Sequence, residues 1–234
     1  GSKSVINRAL IINALSQRLA RIEGIAHCDD TIAITDALKQ CDCAHIDIGA
    51  AGTAMRFLTA YFAAMPGVSL TLTGTQRMLC RPIKPLVDSL MQMDADITYL
   101  GEDGFPPLSI EGKRLKGGNI SIRGDISSQF ISALMMIGPT LKGGLNIQLL
   151  GEVVSRSYID MTCEIMRHYG IEVKSDENLI AIPEQSYSAP DVFMVEADWS
   201  SASYFYELVA LTDMQNIKLT GLFSPQHSVQ GDSA

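Results

Sequence analysis

Four short stretches of this chain put small and polar residues where a helix would begin: Gly1-Ser2-Lys3-Ser4, Gly49-Ala50-Ala51-Gly52-Thr53, Gly124-Asp125-Ile126-Ser127-Ser128 and Asp198-Trp199-Ser200-Ser201. The first turn of a helix leaves backbone N–H groups without partners and carries about half a unit of positive charge. Ser and Thr cap such a turn, and Gly lets a ligand come close to the backbone, which is how many phosphate sites are built. Cations stand nearby: Lys3 and Arg8 on the first stretch, Arg56 just past Thr53, Arg77 after Gly74, and Arg156 next to Ser155. Arginine grips carboxylate or phosphate with two parallel hydrogen bonds, whereas lysine acts as a point charge. Any one of these starts is an ordinary cap. Four of them, each running on into an apolar helix and several beside cations, point to a focused site for small anions.

The chain that must position them has 234 residues, 47% hydrophobic and 19% charged, enough to bury a sizeable core. Eighteen Lys and Arg against 26 Asp and Glu leave a formal charge of −8, which argues against a nucleic-acid partner. It does not argue against an anionic substrate, because a few placed cations dominate a local field. No apolar run reaches the ~20 residues of a membrane span, and the best candidate is broken by Arg56 and Pro66. The five cysteines (Cys28, Cys41, Cys43, Cys80 and Cys163) show no framework spacing, so reduced thiols in the cytoplasm are expected. Gly1 opens inside a helix start, which suggests a chain that begins within a longer polypeptide.

Three segments repeat a β-branched run closed by glycine: Leu70–Gly74, Ile147–Gly151 and Ile217–Gly221, with a shorter copy ending at Gly24. After Gly74 and Gly151 come amphipathic helices, 82–93 and 157–169, then pairs of short strands at 96–100 with 107–110 and at 171–173 with 179–182. Gly117-Gly118 and Gly143-Gly144 read as tight turns. The segments following the four polar starts are apolar on nearly every face, as in Phe130-Ile131-Ser132-Ala133-Leu134-Met135-Met136-Ile137, and such helices are buried. The expected architecture is α/β (α+β), an inside-out repeat domain of three βαβαββ-type units with buried parallel helices and surrounding sheets. Other clusters carry less. Cys41-Asp42-Cys43-Ala44-His45 lacks metal-ligand spacing, Asp29-Asp30-Thr31 reads as a helix cap, Glu111 to Lys116 as a solvated turn, and no metal site is expected.

The strings GSKSVINRALI, GAAGTAMRFLTA, GTQRMLCRPIKPLVDSL, GDISSQFISALMM, VSRSYIDMTCEIMRHYGI and VEADWSSASYF resemble, in order, the EPSP synthase family (3-phosphoshikimate 1-carboxyvinyltransferases). Ser127-Ser128-Gln129 and Ser155 with Tyr158 favour that family over the UDP-N-acetylglucosamine enolpyruvyl transferases of similar fold. The resemblance implies two similar domains: residues 1–196 would be the first, and 197–234 the truncated opening of the second. It implies a reaction of the shikimate pathway, in which the 5-hydroxyl of shikimate 3-phosphate takes the enolpyruvyl group of phosphoenolpyruvate. No cofactor is implied. Lys3 would lie between the two substrates, and it and Arg77 would act in catalysis. Lys3, Ser4, Arg8, Ser127, Ser128, Gln129, Ser155 and Tyr158 would bind shikimate 3-phosphate, while Lys3, Gly52, Thr53 and Arg77 would bind phosphoenolpyruvate and the family's inhibitor glyphosate.

Two positions depart from the family pattern: Ala50 stands where Asn is common, and Phe57 where Pro is common. The family's second-domain ligands have no counterpart, so the 234 residues alone are expected to bind without turning over. The full enzyme is expected to be a monomer. Without the rest of their domain, the helix from Trp199 and the strand near Ile217 should expose apolar faces, and residues 197–234 should pack back on the first domain, pair with another molecule or be poorly ordered. Alternatives are a binding half-protein without catalysis and a scaffold whose Ser and Thr residues only cap helices.

Overall fold

Three helices run through the interior because their sequences leave little polar surface to show. In the computed structural model, which describes residues 1–40, 43–212 and 217–233, every residue of α3 (Gly52–Ala63) is buried. All of α6 (Ser128–Ile137) is buried except Gln129, and α1 (Lys3–Leu15) buries Val5 through Ala9 with Ile11 and Ile12. The three touch one another pairwise and form the centre of the core.

Sheets and amphipathic helices enclose them. One sheet has the order β2 (His45–Asp47), β3 (Ser69–Thr73), β5 (Leu108–Glu111), β4 (Asp96–Tyr99). A second has the order β6 (Lys116–Arg123), β7 (Lys142–Leu150), β9 (Leu179–Ile182), β8 (Lys174–Ser175). In each, the first two strands are parallel and joined through a buried helix, and the last two add antiparallel. Alternation sets the register. Ile46 faces Leu72 and Leu72 faces Leu108, as Ile120 faces Ile147 and Ile147 faces Ile180, all on the core side. Among the described residues the third sheet holds two parallel strands, β1 (Arg21–Glu23) and β10 (Val192–Met194).

Three outer helices complete the layers: α2 (Asp29–Lys39), α5 (Lys84–Gln92) and α7 (Arg156–His168), each burying one apolar face such as Leu86, Val87 and Leu90 of α5. A single turn, α4 (Gln76–Leu79), precedes α5. No helix among the described residues is long and apolar enough to cross a membrane.

Several expectations need correction. Gly117-Gly118 is not a turn but the irregular start of β6, where the register with β7 shifts. Residues 171–173 lie outside any strand, because Ile171 and Val173 are buried while the pairing with β9 begins at Lys174. Residues 217–220 are unpaired, with no neighbouring strand to complete a ladder. Cys41 and Asp42, of the cluster that lacks metal-ligand spacing, lie outside the described residues. Helix α8 (Trp199–Leu211) departs from the burial of the other three polar-start helices and meets the expectation that it exposes apolar faces: Ala202 is its one buried residue, and Tyr204, Phe205, Tyr206, Leu208, Val209 and Leu211 are exposed. Only its first turn is tied down, by Asp198, which accepts from the N–H groups of Ser200 and Ser201, and by Gln230, which accepts from that of Trp199. The stretch after it does pack back: Glu196, itself buried, accepts from the Ser228 hydroxyl and the Val229 N–H.

This contrast is measurable. Leu58→Ala in fully buried α3 should destabilise the chain by about 2–5 kcal/mol, and Leu211→Ala in α8 by less than about 0.5, read from urea unfolding midpoints.

Candidate functional site

The starts of α1, α3 and α6 meet at a cavity of about 320 Å³ lined by Lys3, Ser4, Asn7, Arg8, Thr53, Ser127, Ser128 and Gln129, with Tyr158 of α7 on its rim. A second cavity of about 390 Å³ lies beside it, lined by Asp29, Asp30, Ala50, Ala51, Gly52 and Arg81. Lys3, Thr53 and Gln129 line both. The Gln129 amide donates to the Thr53 hydroxyl at 3.2 Å, so one hydrogen bond between two helix starts forms part of the wall.

Arg8 governs the first cavity. It is 2% exposed, and its guanidinium donates from Nε to Thr162 Oγ1 (2.7 Å), from Nη2 to Ser132 Oγ (2.9 Å) and from Nη1 to the Ser4 carbonyl (2.9 Å). The rings of Phe57 and Tyr158 lie 5.5 and 5.7 Å from it. All these partners are neutral, and no described carboxylate pairs with it. Burial draws its pKa down to about 10, which still leaves it cationic at neutral pH. Ser132 and Thr162 bond to each other at 2.9 Å and so brace the group from behind. Three of five N–H donors are used. A buried cation held rigidly without a counter-ion is a seat for an anion.

Asp30 orders the second cavity. Its Oδ1 accepts from the N–H groups of Thr53 (2.8 Å) and Ala54 (3.2 Å), and its Oδ2 lies 2.5 Å from Lys3 Nζ. One carboxylate therefore caps α3 and fixes Lys3, although it belongs to α2. The hydrogen bond to Asp30 raises the Lys3 pKa, against a smaller opposing effect of burial. The start of α3 is thus already capped by a side chain from another helix. Ser127 likewise accepts from the Gln129 N–H at the start of α6, whereas Ser2 makes no side-chain cap on α1.

Across the second cavity, Arg81 reaches over Gly52: a Cβ there would lie 2.1 Å from Arg81 Nη1 and 2.8 Å from Arg56 Nη1. Only glycine fits. Arg56 is buried, donates to the Gly52 carbonyl at 2.8 Å and keeps an unpartnered Nε. Burial first and then the charge of Arg81 lower its pKa to about 10. Two guanidinium groups sharing a corner in this way are complementary to a phosphate or carboxylate.

Lys3, Ser4, Arg8, Gly52, Thr53, Ser127, Ser128, Gln129 and Tyr158 are brought together as expected from the sequence. Arg77 is not. It is exposed on α4 and lines neither cavity, while Arg81, four residues on and anchored by buried Ile83, lines the second. Ser155 precedes α7, its carbonyl accepting from the Tyr158 N–H, and lies outside both linings. Arg156 is engaged by Asp160, Ser175 and the carbonyls of Asp176 and Glu177. Sequence reasoning missed Asp30, Arg81 and Asn7. Asp30 was visible as a helix-start residue but looked local. No group of His, Cys, Asp and Glu among the described residues could hold a metal.

A sequence profile of EPSP synthase (3-phosphoshikimate 1-carboxyvinyltransferase) matches residues 40–234. The chain belongs to the EPSP synthase family. The 3-phosphoshikimate 1-carboxyvinyltransferase of Bacteroides fragilis (strain YCH46) is 50% identical over 234 aligned positions, covering 99% of this chain and 56% of that protein. That of Sulfurovum sp. (strain NBC37-1) is 41% identical over 261 positions, covering 100% of this chain and 60% of the relative. Among solved structures, EPSP synthase from Acinetobacter baumannii shares the fold with a TM-score of 0.76 at 23% identity, over 88% of this chain and 51% of the other. The chain spans about half the length of the relatives it matches.

In this EPSP synthase-family chain the Lys3–Asp30 pair gives a pH signature. Because the folded pKa of Lys3 is raised above 10.5, its contribution to stability is complete below that value and fades as pH rises through the folded pKa. The stability difference between the chain and its Lys3→Met variant should therefore hold constant from pH 7 to about 10 and shrink above it. Asp30→Ala, which also uncaps α3, should lose about 1–2 kcal/mol at pH 7. Urea titrations at each pH measure both.

Proposed function

We propose that this chain is the shikimate 3-phosphate-binding half of a 3-phosphoshikimate 1-carboxyvinyltransferase, seating that substrate in the Arg8 cavity and phosphoenolpyruvate beside it. The observation that carries the reading is the pair of adjoining cavities that share Lys3, the first lined by Arg8 and the second by Arg81, neither guanidinium in an ion pair among the described residues. A reaction that joins two anions needs two such seats with a cation between them.

In the first seat, Arg8 would take the carboxylate of shikimate 3-phosphate. Ser127, Ser128 and Ser4 offer hydroxyl and helix-start N–H donors for its phosphate, and Gln129 lies against the ring. In the second seat, Arg81 and Arg56 would face phosphoenolpyruvate over Gly52, and Arg81 takes the role expected of Arg77. Ala50 lines this seat without an amide to offer. The substrate's 5-hydroxyl would then attack C2 of the enolpyruvyl group as C3 gains a proton, and the tetrahedral adduct would lose inorganic phosphate. Lys3, held by Asp30, stays protonated and opposes the negative charge that gathers between the seats. We place the enzyme in the cytoplasm, where Cys28, Cys43, Cys80 and Cys163 stay free thiols.

The same reading divides the chain into a first domain of three repeated units, residues 1–196, and the opening of a second from 197. Identical strand orders in the two four-stranded sheets support the repeat, and the uncovered α8 supports the division.

Calorimetry with each substrate tests the proposal. Shikimate 3-phosphate should bind the 234-residue chain and phosphoenolpyruvate at least about tenfold more weakly, with no turnover of the mixture. Arg8→Met should reduce shikimate 3-phosphate affinity by more than about 100-fold, yet leave stability unchanged or raise it by ~1–4 kcal/mol, because an unpaired buried charge is replaced by an apolar chain. Undiminished affinity in that variant would reject the assignment of Arg8, and no binding of either ligand would leave a scaffold.

A further inference from the structure

A buried amide stands between the two cavities. Asn7 is fully buried on α1, one turn beyond Lys3, and lines the Arg8 cavity. Its Oδ1 accepts from the Thr31 hydroxyl of α2 at 3.0 Å, and its buried Nδ2 has no partner. The Thr31 oxygen also lies 3.1 Å from the Sγ of Cys28, a residue of the second cavity's wall. A buried donor left unpaired is destabilising, and a leucine of nearly the same size would fill the space without one. Packing alone therefore does not account for an asparagine at this position.

What the amide secures can be followed contact by contact. Lys3 and Asn7 stand four residues apart on α1 and so share a face, while Asp30 and Thr31 are consecutive on α2. Lys3 pairs with Asp30 and Asn7 with Thr31, so two contacts tie the start of α2 across that face. Asp30 serves three donors at once: the N–H groups of Thr53 and Ala54, and the Lys3 ammonium. It can do so only while α2 keeps its register against α1 and α3. The Lys3 side chain, half exposed on a flexible stem, is poorly suited to set that register. A hydrogen bond between two short, buried side chains is well suited to it.

We propose that Asn7 is a positioning residue that couples the two seats: through Thr31 it sets Asp30 against Lys3, and the opposite end of its amide adds a positive dipole to the wall of the Arg8 cavity. Asn7 touches no reacting atom and acts through Lys3. The binding half of the inference rests on the reading of the cavities as anion seats, whereas the orientation of Lys3 needs no ligand.

Two measurements on the full 234-residue chain test it. The first is ¹³C NMR of the lysine Cε carbons over pH, with the Lys3 signal identified by its loss in Lys3→Met. Cys28, Asp29 and Asp30 face that ammonium from α2, Arg8 and Tyr158 share the first cavity with it, Arg81 the second, and Asp198 and Asp232 a smaller one. None of these is altered by the variants. In the parent the hydrogen bond to Asp30 holds Lys3 above 10.5. Thr31→Val keeps the shape of the side chain without its hydroxyl, and should lower the Lys3 midpoint by at least about 0.5 pH unit. Thr31→Ser keeps the hydroxyl and should titrate as the parent does. The second measurement is calorimetry with shikimate 3-phosphate, whose affinity should fall at least about threefold in Thr31→Val and about tenfold in Asn7→Leu, which loses both ends of the amide. Urea unfolding checks that each variant is folded; Asn7→Leu carries the same NMR expectation should Thr31→Val fail that check. An unmoved Lys3 midpoint in Thr31→Val and Asn7→Leu, or a serine variant that shifts as far as the valine one, would overturn the positioning role. Affinity no weaker in Asn7→Leu than in Thr31→Val would overturn the coupling. A parent that binds no shikimate 3-phosphate would reject the reading of the seats, and the coupling with it, while the NMR result still decides the orientation of Lys3.

Discussion

A guanidinium in the protein interior with only neutral partners is the constraint around which the rest is arranged. Arg8 is held by Thr162, Ser132 and the Ser4 carbonyl, three bonds from three helices or their turns. Hydrogen bonds to neutral oxygens orient such a group but do not offset its charge, so the free protein keeps a desolvated cation worth several kcal/mol of instability. That arrangement persists only if the surrounding core overdetermines it. The helices that do so are α3 and α6, which bury almost every side chain, and the buried face of α1, while Phe57 of α3 lies against the guanidinium face. Stability is given up at one point and recovered across a close-packed interior.

The helix starts serve the same end in unequal ways. Asp30 closes the start of α3 and orients Lys3, so the positive end of that helix acts on the site through a fixed ion pair and not through open N–H groups. The side chain of Ser127 partly closes α6, and α1 has no side-chain cap. A ligand anion therefore meets a graded field: an uncapped helix start and Arg8 on one side, Lys3 in the middle, Arg81 with Arg56 on the other. In a chain of net charge −8 these few cations are concentrated in one place, which is what draws an anion to it.

How much of this was legible in the sequence follows from whether each signal was local. The buried helices were, because apolar residues on every face and a polar first turn occur within a dozen positions, and the seat residues at those starts came with them. Strands β3, β7 and β9 were, through alternation bounded by glycine. Asp30 was not legible, since its two roles depend on α2 lying across the start of α3, a contact between residues 23 positions apart. Arg77 and Arg81 look alike in the loop after Gly74; burial of Met78 and Ile83, which turns one guanidinium outward and the other over Gly52, becomes visible only when the loop is folded. Helix α8 was legible in part: its sequence shows that it is apolar enough to be covered, but a sequence does not carry the covering surface with it.

That last point joins the two unfinished surfaces of the molecule. Strand β1 and helix α8 both present features that elsewhere in the fold are paired, but they differ in kind. The open edge of β1 is short and charged, with Ile22 flanked by Arg21 and Glu23, and charge is what keeps an exposed strand from pairing indiscriminately. Helix α8 has no such guard among Tyr204, Phe205, Tyr206, Leu208, Val209 and Leu211. A charged edge selects a partner by register, whereas an all-round apolar helix requires a core to be built around it. The second is capped by Asp198 at the end that follows β10, while the rest of its length is uncovered among the described residues.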